Sequence, residues 1–174
     1  DEITRPGDYT VQLSARSGSR LIQAAQRVLV LWGQAEVQQE SLDLAVEQLA
    51  LIARGSTIRE MERAQGALRD SLYEAFWQKR DPTPETPLNE LREEFFRRID
   101  HSNRSFSESF SGRQGWRTDR GRVYIQNGPP DQIEKHAGEM GMASTEIWAY
   151  NRLNRRYLFV DRLSNGEFRL AKTE

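Results

Sequence analysis

The sequence predicts an α+β fold: a helical hairpin or small bundle followed by a small C-terminal antiparallel sheet, preceded by a β-hairpin that reads as the end of a truncated β-sandwich. Three observations predict it. Residues 9–15 alternate apolar and polar side chains, residues 41–105 place apolar side chains at three- and four-residue steps, and the apolar runs after Gly128-Pro129-Pro130 are of strand length. A chain of 174 residues suits one domain with an appendage.

Tyr9, Val11, Leu13 and Ala15 share one face of a strand, Ser17-Gly18-Ser19 supplies a turn, and Leu21 to Trp32 is rich in β-formers. Two strands alone are marginal in water, so residues 1–33 are expected to be the remnant of a preceding β-domain. From Leu42 the spacing of Ala45, Val46, Leu49, Ile52 and Ala53 predicts a helix over 41–54 ending at Gly55. Thr57 and Glu60 have capping-box spacing, and Ile58, Met61, Leu68, Leu72 and Phe76 extend a second helix over 57–80, with Gly66 in mid-pattern. Asp81-Pro82-Thr83-Pro84 stops it. Thr86-Pro87 reads as N-cap and first residue of a third helix over 87–105, with Leu88, Leu91, Phe95 and Ile99 on one face. The stretch from Ser107 to Gln114 reads as loop, and residues 119–127 fit a short helix or a strand. Strands are expected at 146–150, 157–161 and 167–170, the last two joined through Asn165-Gly166, with a loop from His136 to Ser144. Residues 41–174 thus form the main α+β domain.

Lys+Arg 25 against Asp+Glu 26 gives a net charge of −1, which argues against nucleic acid as a partner. Cysteine is absent, so thiol nucleophiles, disulfides and Cys-based metal sites are excluded. No apolar run reaches the roughly 18 residues of a membrane span. The chain opens at Asp1 without Met or a leader, the pattern expected of a processed or excised piece. His101 and His136 stand alone and read as solvated side chains rather than ligands. Asp131, Glu134 and Asp119 lack a cation-binding loop, the glycines at 112, 115, 121 and 128 lack a phosphate-cradle context, and the serines at 105–111 lack a base. No cofactor and no metal are expected.

Two segments carry a specific texture. One is Phe76-Trp77 followed by Arg80-Asp81-Pro82-Thr83-Pro84 and Asn89-Glu90; the other is Gly115-Trp116-Arg117-Thr118-Asp119-Arg120-Gly121-Arg122, then Tyr124-Ile125, Gly128-Pro129-Pro130-Asp131 and a late Glu146-Ile147-Trp148. Their order resembles the GWxTD-domain family of bacterial proteins from roughly Leu42 to Leu170. That resemblance implies an exported protein, periplasmic or secreted, with a β-rich region before the helices, and it implies no particular reaction. A second likeness, over Thr118 to Tyr150, is to the small lipoproteins of the outer-membrane β-barrel assembly machinery; it implies a short helix over 119–127 and an envelope location.

Trp77, Arg80, Asp81, Thr83, Asn89, Glu90, Trp116, Thr118, Asp119 and Arg120 form the candidate site, a polar set flanked by two tryptophans. It is expected to act as an internal clasp holding helices to sheet. In that clasp Asp81 and Asp119 accept backbone N–H or arginine bonds, Arg80 and Arg120 make bidentate pairs, and the tryptophans cover them. The functional expectation is a non-enzymatic interaction or scaffolding module with a protein partner. The alternative is an envelope hydrolase or glycan-processing enzyme using Asp81, Glu90 and Asp119.

Overall fold

The computed structural model describes residues 7–17, 20–30, 39–138 and 143–174, which fall into two compact units, Asp1–Gln38 and Gln39–Glu174. In the first unit β1 (Gly7–Ser17) pairs antiparallel with β2 (Arg20–Val30), in register from Gly7 opposite Val30 to Ser17 opposite Arg20. The predicted turn at Gly18 and Ser19, and the end of the predicted hairpin at Leu31 and Trp32, lie outside the described residues.

The second unit is α+β. Its helices are α1 (Gln39–Leu49), α2 (Gly55–Arg63), α3 (Ala67–Gln78), α4 (Glu90–Phe106) and α5 (Asp119–Asn127). Leu42, Ala45, Val46 and Leu49 bury one face of α1, as their spacing predicts. The helix expected over 57–80 is two helices. Gly66 takes φ +53, which an L side chain resists, and the chain breaks there before α3 begins. Thr57 lies inside α2, whose N-cap is Arg54, so Thr57 and Glu60 form no capping box. Phe76 is buried as expected, whereas Leu68 is 62% exposed, and Tyr73 and Trp77 take the other buried positions of α3.

The third helix starts at Glu90 rather than Pro87. Asn89 is its N-cap: Asn89 Oδ1 accepts from Arg92 N at 3.0 Å, while Asn89 Nδ2 donates to Trp77 O at 2.9 Å and joins the end of α3 to the start of α4. The buried face of α4 runs Arg92, Phe95, Ile99, Ser102, so Leu88 and Leu91 of the expected stripe lie outside it and are exposed. In the stretch expected as loop, Glu108 and Arg113 make an isolated antiparallel bridge. Residues 119–127 are helical. Thr118 is the N-cap of α5, and Gly128 follows it with φ +82.

The sheet has four antiparallel strands in the order β3-β4-β5-β6: β3 (Gln132–His136), β4 (Ser144–Tyr150), β5 (Arg155–Asp161) and β6 (Arg169–Thr173). Strand β3 is not among the three strands expected from the apolar runs, and β6 begins two residues after the expected start. His136 belongs to β3 and Ser144 to β4, so the loop between them is shorter than expected, and residues 139–142 lie outside the described set. One sheet face buries Trp148, Tyr150, Tyr157 and Phe159 against Val123 of α5, with Phe106, Tyr124 and Phe168 closing the cluster. His101 is half-buried and stacks on Tyr124 at 4.4 Å, so it joins α4 to α5 rather than standing in solvent. Among the described residues no helix is long and apolar enough to cross a membrane.

Candidate functional site

The ten predicted site residues do not gather in one place. They divide between the two ends of α4, whose Asn89 and Ser102 ends are separated by about 20 Å along the helix axis.

At the first end, Trp77 lies against Phe76, Phe95 and Phe96 with centroids 5.2, 5.5 and 6.1 Å away. Arg92, 5% exposed, reaches Glu74 at 2.9 Å and faces the Tyr73 ring. Burial raises the Tyr73 hydroxyl above its ordinary range, while Trp77 and Arg92 pull the other way. Of the polar residues of this segment Asn89 is buried, Asp81 and Thr83 are half-buried, and Arg80 and Glu90 are exposed. Arg80 lies over the Phe76 ring at 3.8 Å and donates to Phe76 O at 3.0 Å, and it makes no bidentate carboxylate pair among the described residues. Asp81 Oδ1 accepts from Thr83 N at 3.0 Å, and Thr83 Oγ1 donates to Glu90 Oε2 at 2.5 Å. Asp81 and Glu90 thus meet through Thr83, and Asp119 belongs to the other end.

At that end the 3₁₀ turn Gly115–Arg117 leads into α5. A Cβ on Gly115 would stand 1.8 Å from Ser102 O of α4, and a Cβ on Gly121 would stand 1.9 Å from Gly115 O. Both glycines therefore record close backbone approach. Trp116 is buried, its N–H donating to Asn103 Oδ1 at 3.2 Å and its Nε1 to Gln114 Oε1 at 2.8 Å. Arg117 lies over the Trp116 ring and makes a two-pronged contact to Glu47 of α1 at 2.5 and 2.6 Å. Thr118, fully buried, donates to Gly115 O at 2.7 Å and accepts from Gly121 N at 3.1 Å.

Asp119 and Arg120 reach the sheet. Asp119 Oδ2 accepts from Leu170 N of β6 at 2.8 Å. Arg120 approaches Glu146 Oε1 and Gly166 O, each at 3.4 Å, and lies over the Phe168 ring at 4.2 Å. Burial pulls the Arg120 guanidinium below its ordinary value, and Glu146, Glu108 and Asp161 oppose that shift.

Those three carboxylates were missed in the sequence. Glu146 also accepts from Trp148 Nε1 at 3.1 Å, Asp161 accepts from Asn165 N and Gly166 N at 3.2 and 2.8 Å, and Glu108 accepts from Arg169 Nη1 at 2.7 Å. Two of them had a signal. Glu146 is in phase with Trp148 and Tyr150, and Asp161 with Tyr157 and Phe159, so a period-2 reading puts both carboxylates on the buried face. Glu108 sits in a polar, non-periodic stretch and had none.

The hairpin that Asp119 and Arg120 hold carries a groove of about 480 Å³, with Val160, Leu170 and Ala171 on its walls and Arg162, Leu163 and Arg169 beside them. Among the described residues no three acidic or histidine side chains group so as to hold a metal ion.

A small α+β domain whose 3₁₀ turn and short helix lock a helical layer to a four-stranded sheet is the class that these features define. The family model of the GWxTD domain matches residues 25–172, and the chain belongs to that family. The match begins within β2, earlier than the resemblance near Leu42 suggested. Neither a curated protein nor a solved structure matches the chain.

Proposed function

We propose that the chain is a non-enzymatic protein-interaction or scaffolding module of a bacterial cell-envelope or secreted protein, with another protein as its partner. The observation that supports this reading is the employment of the motif. Trp116, Thr118, Asp119 and Arg120 each bind another part of the same chain, and the last two fix the β5–β6 hairpin beside its open groove. A motif used in this way preorganises a surface, and preorganisation lowers the ordering cost of recognition.

The test places a photo-crosslinking amino acid singly at Leu163, Phe110, Leu88 and Leu68, all exposed, in cells producing the protein. Discrete adducts with a protein from at least one position, in the extracytoplasmic fraction, are the expected result. Absence of adducts at all four positions overturns the reading. So does hydrolytic or transferase turnover that disappears in Asp119→Ala or Asp81→Ala while the variant stays folded.

A further inference from the structure

The groove on the β5–β6 hairpin has a chemistry that points to its occupant. Its volume of about 480 Å³ falls within the ~300–1,000 Å³ common among binding clefts. Leu163 and Leu170 are 78% and 39% exposed, so the hairpin presents two large aliphatic side chains to solvent at the groove.

Charge is distributed unevenly around it. Arg169 is engaged twice, by Glu108 at 2.7 Å and by Glu167 at 2.9 Å. Arg162 is exposed and meets no carboxylate among the described residues. Glu167 also lines the groove, but its Oε2 is taken by Arg169, so beside the apolar wall Arg162 is the lining guanidinium left without a carboxylate among the described residues, a group suited to a planar carboxylate.

The backbone around the groove is fixed. Asp161 holds the turn through Asn165 N and Gly166 N, and Asp119 holds Leu170 N. Because the Leu170 N–H is already taken, a strand cannot add to β6 there through main-chain bonds, and recognition passes through side chains.

We infer that this groove receives a short segment of a partner protein in which an apolar side chain neighbours a carboxylate. The apolar group packs on Val160, Leu163 and Leu170, and the carboxylate pairs with Arg162. This deepens the interaction-module reading and rests on it.

The probes are three end-capped tripeptides, Leu-Asp-Leu, Leu-Asn-Leu and Leu-Lys-Leu, together with hexanoate, titrated into the ¹⁵N-labelled 174-residue chain. Leu-Asp-Leu is expected to produce saturable amide shifts confined to residues 160–171, with Leu-Asn-Leu binding about tenfold more weakly. Arg162→Glu should lose Leu-Asp-Leu and gain Leu-Lys-Leu, with the urea midpoint unchanged because the side chain is exposed; Arg162→Gln should lose the preference between the Asp and Asn peptides. Equal binding of those two peptides by the parent chain, shifts outside the hairpin, or an Arg162→Glu variant that binds as the parent does overturns the inference. Hexanoate binding as tightly as Leu-Asp-Leu assigns the groove to small acids and also overturns it. Failure here with crosslinked adducts from other surfaces removes this groove alone, whereas absence of adducts everywhere removes the underlying reading.

Discussion

Replacing Gly115 by alanine tests the packing that the whole motif depends on. The new Cβ would stand 1.8 Å from Ser102 O and 2.8 Å from Asn103 Cα, both backbone atoms of α4, whereas ordinary contact begins at 3.4 Å. The 3₁₀ turn must withdraw by roughly 1.6 Å, and no rotamer change can relieve it. Overpacking of this kind costs ~1–3 kcal/mol or more. The withdrawal also stretches two hydrogen bonds, Trp116 N to Asn103 Oδ1 and Gly115 N to Ser107 Oγ, each contributing about 1 kcal/mol. The expected loss is about 3–5 kcal/mol, a large part of the ~5–15 kcal/mol that holds a domain folded. Trp77, Trp116 and Trp148 are all buried in this unit, so tryptophan fluorescence during urea unfolding follows it. With a slope of ~2 kcal/mol/M the midpoint should fall by about 2 M. Gly55→Ala serves as the control, since its Cβ meets only the mobile end of Arg59 at 3.3 Å; it should shift stability by no more than ~1 kcal/mol. A Gly115→Ala midpoint within about 0.3 M of the parent, at unchanged slope, would refute the close-approach reasoning.

Three further outcomes follow from the same packing. Trp116→Ala removes a ring that is 4% exposed and should cost ~3–5 kcal/mol; an unchanged melting temperature would mean that the ring is a surface platform. Arg120→Met leaves the buried Glu146 with the Trp148 Nε1 hydrogen bond and, as its cation among the described residues, the exposed Lys135 at 3.5 Å, at a cost of about 3 kcal/mol. Glu146→Gln in the same chain should return part of that loss, and simple additivity of the two losses in a double-mutant cycle would disprove the coupling. Glu94→Gln tests acid sensitivity. Burial pushes the Glu94 carboxyl up, but hydrogen bonds from Arg98, at 2.7 Å, and from Arg97 outweigh it and hold the group below its ordinary value. A depressed folded value stabilises fully above the unfolded value and is lost as pH falls through the folded one. The parent should therefore exceed Glu94→Gln by a constant margin near pH 7, and the margin should shrink between about pH 5 and 3; parallel curves across that range would contradict the assignment.

The α+β class was legible because the two periods, 3.6 and 2, occupy separate stretches of the chain. What went unread has particular causes. Gly66 could be scored as a costly interior residue, but its φ of +53 is set by how α2 and α3 meet. Thr86 reads as the cap, but Asn89 is the cap, and that depends on Trp77 O, twelve residues earlier in the chain, accepting from Asn89 Nδ2. Thr86 is used within the turn instead, its hydroxyl 3.0 Å from both Thr83 O and Leu88 O, to which its one hydrogen can turn. Strand β3 is mostly exposed and polar, so it lacks the alternation that burial imposes. The single tryptophan-flanked cluster became two because motif residues that are close in sequence order pack at opposite ends of one long helix. The residues that do connect α5 to the sheet, Asp119 and Arg120, lie in the motif, and Thr118 caps the helix that carries them. Their carboxylate counterpart Glu146 required attention to strand phase rather than to motif texture.

The bond from Asp119 to Leu170 bears on how the molecule avoids polymerising. Strand β6 is an outer strand, and open outer strands are templates on which like chains can stack into fibrils. A carboxylate seated on its amide denies that template a donor near the start of the strand. Cross-β growth is thereby left to the opposite border, where β3 is only five residues long and mostly exposed, with the charged Glu134 and Lys135 in its middle.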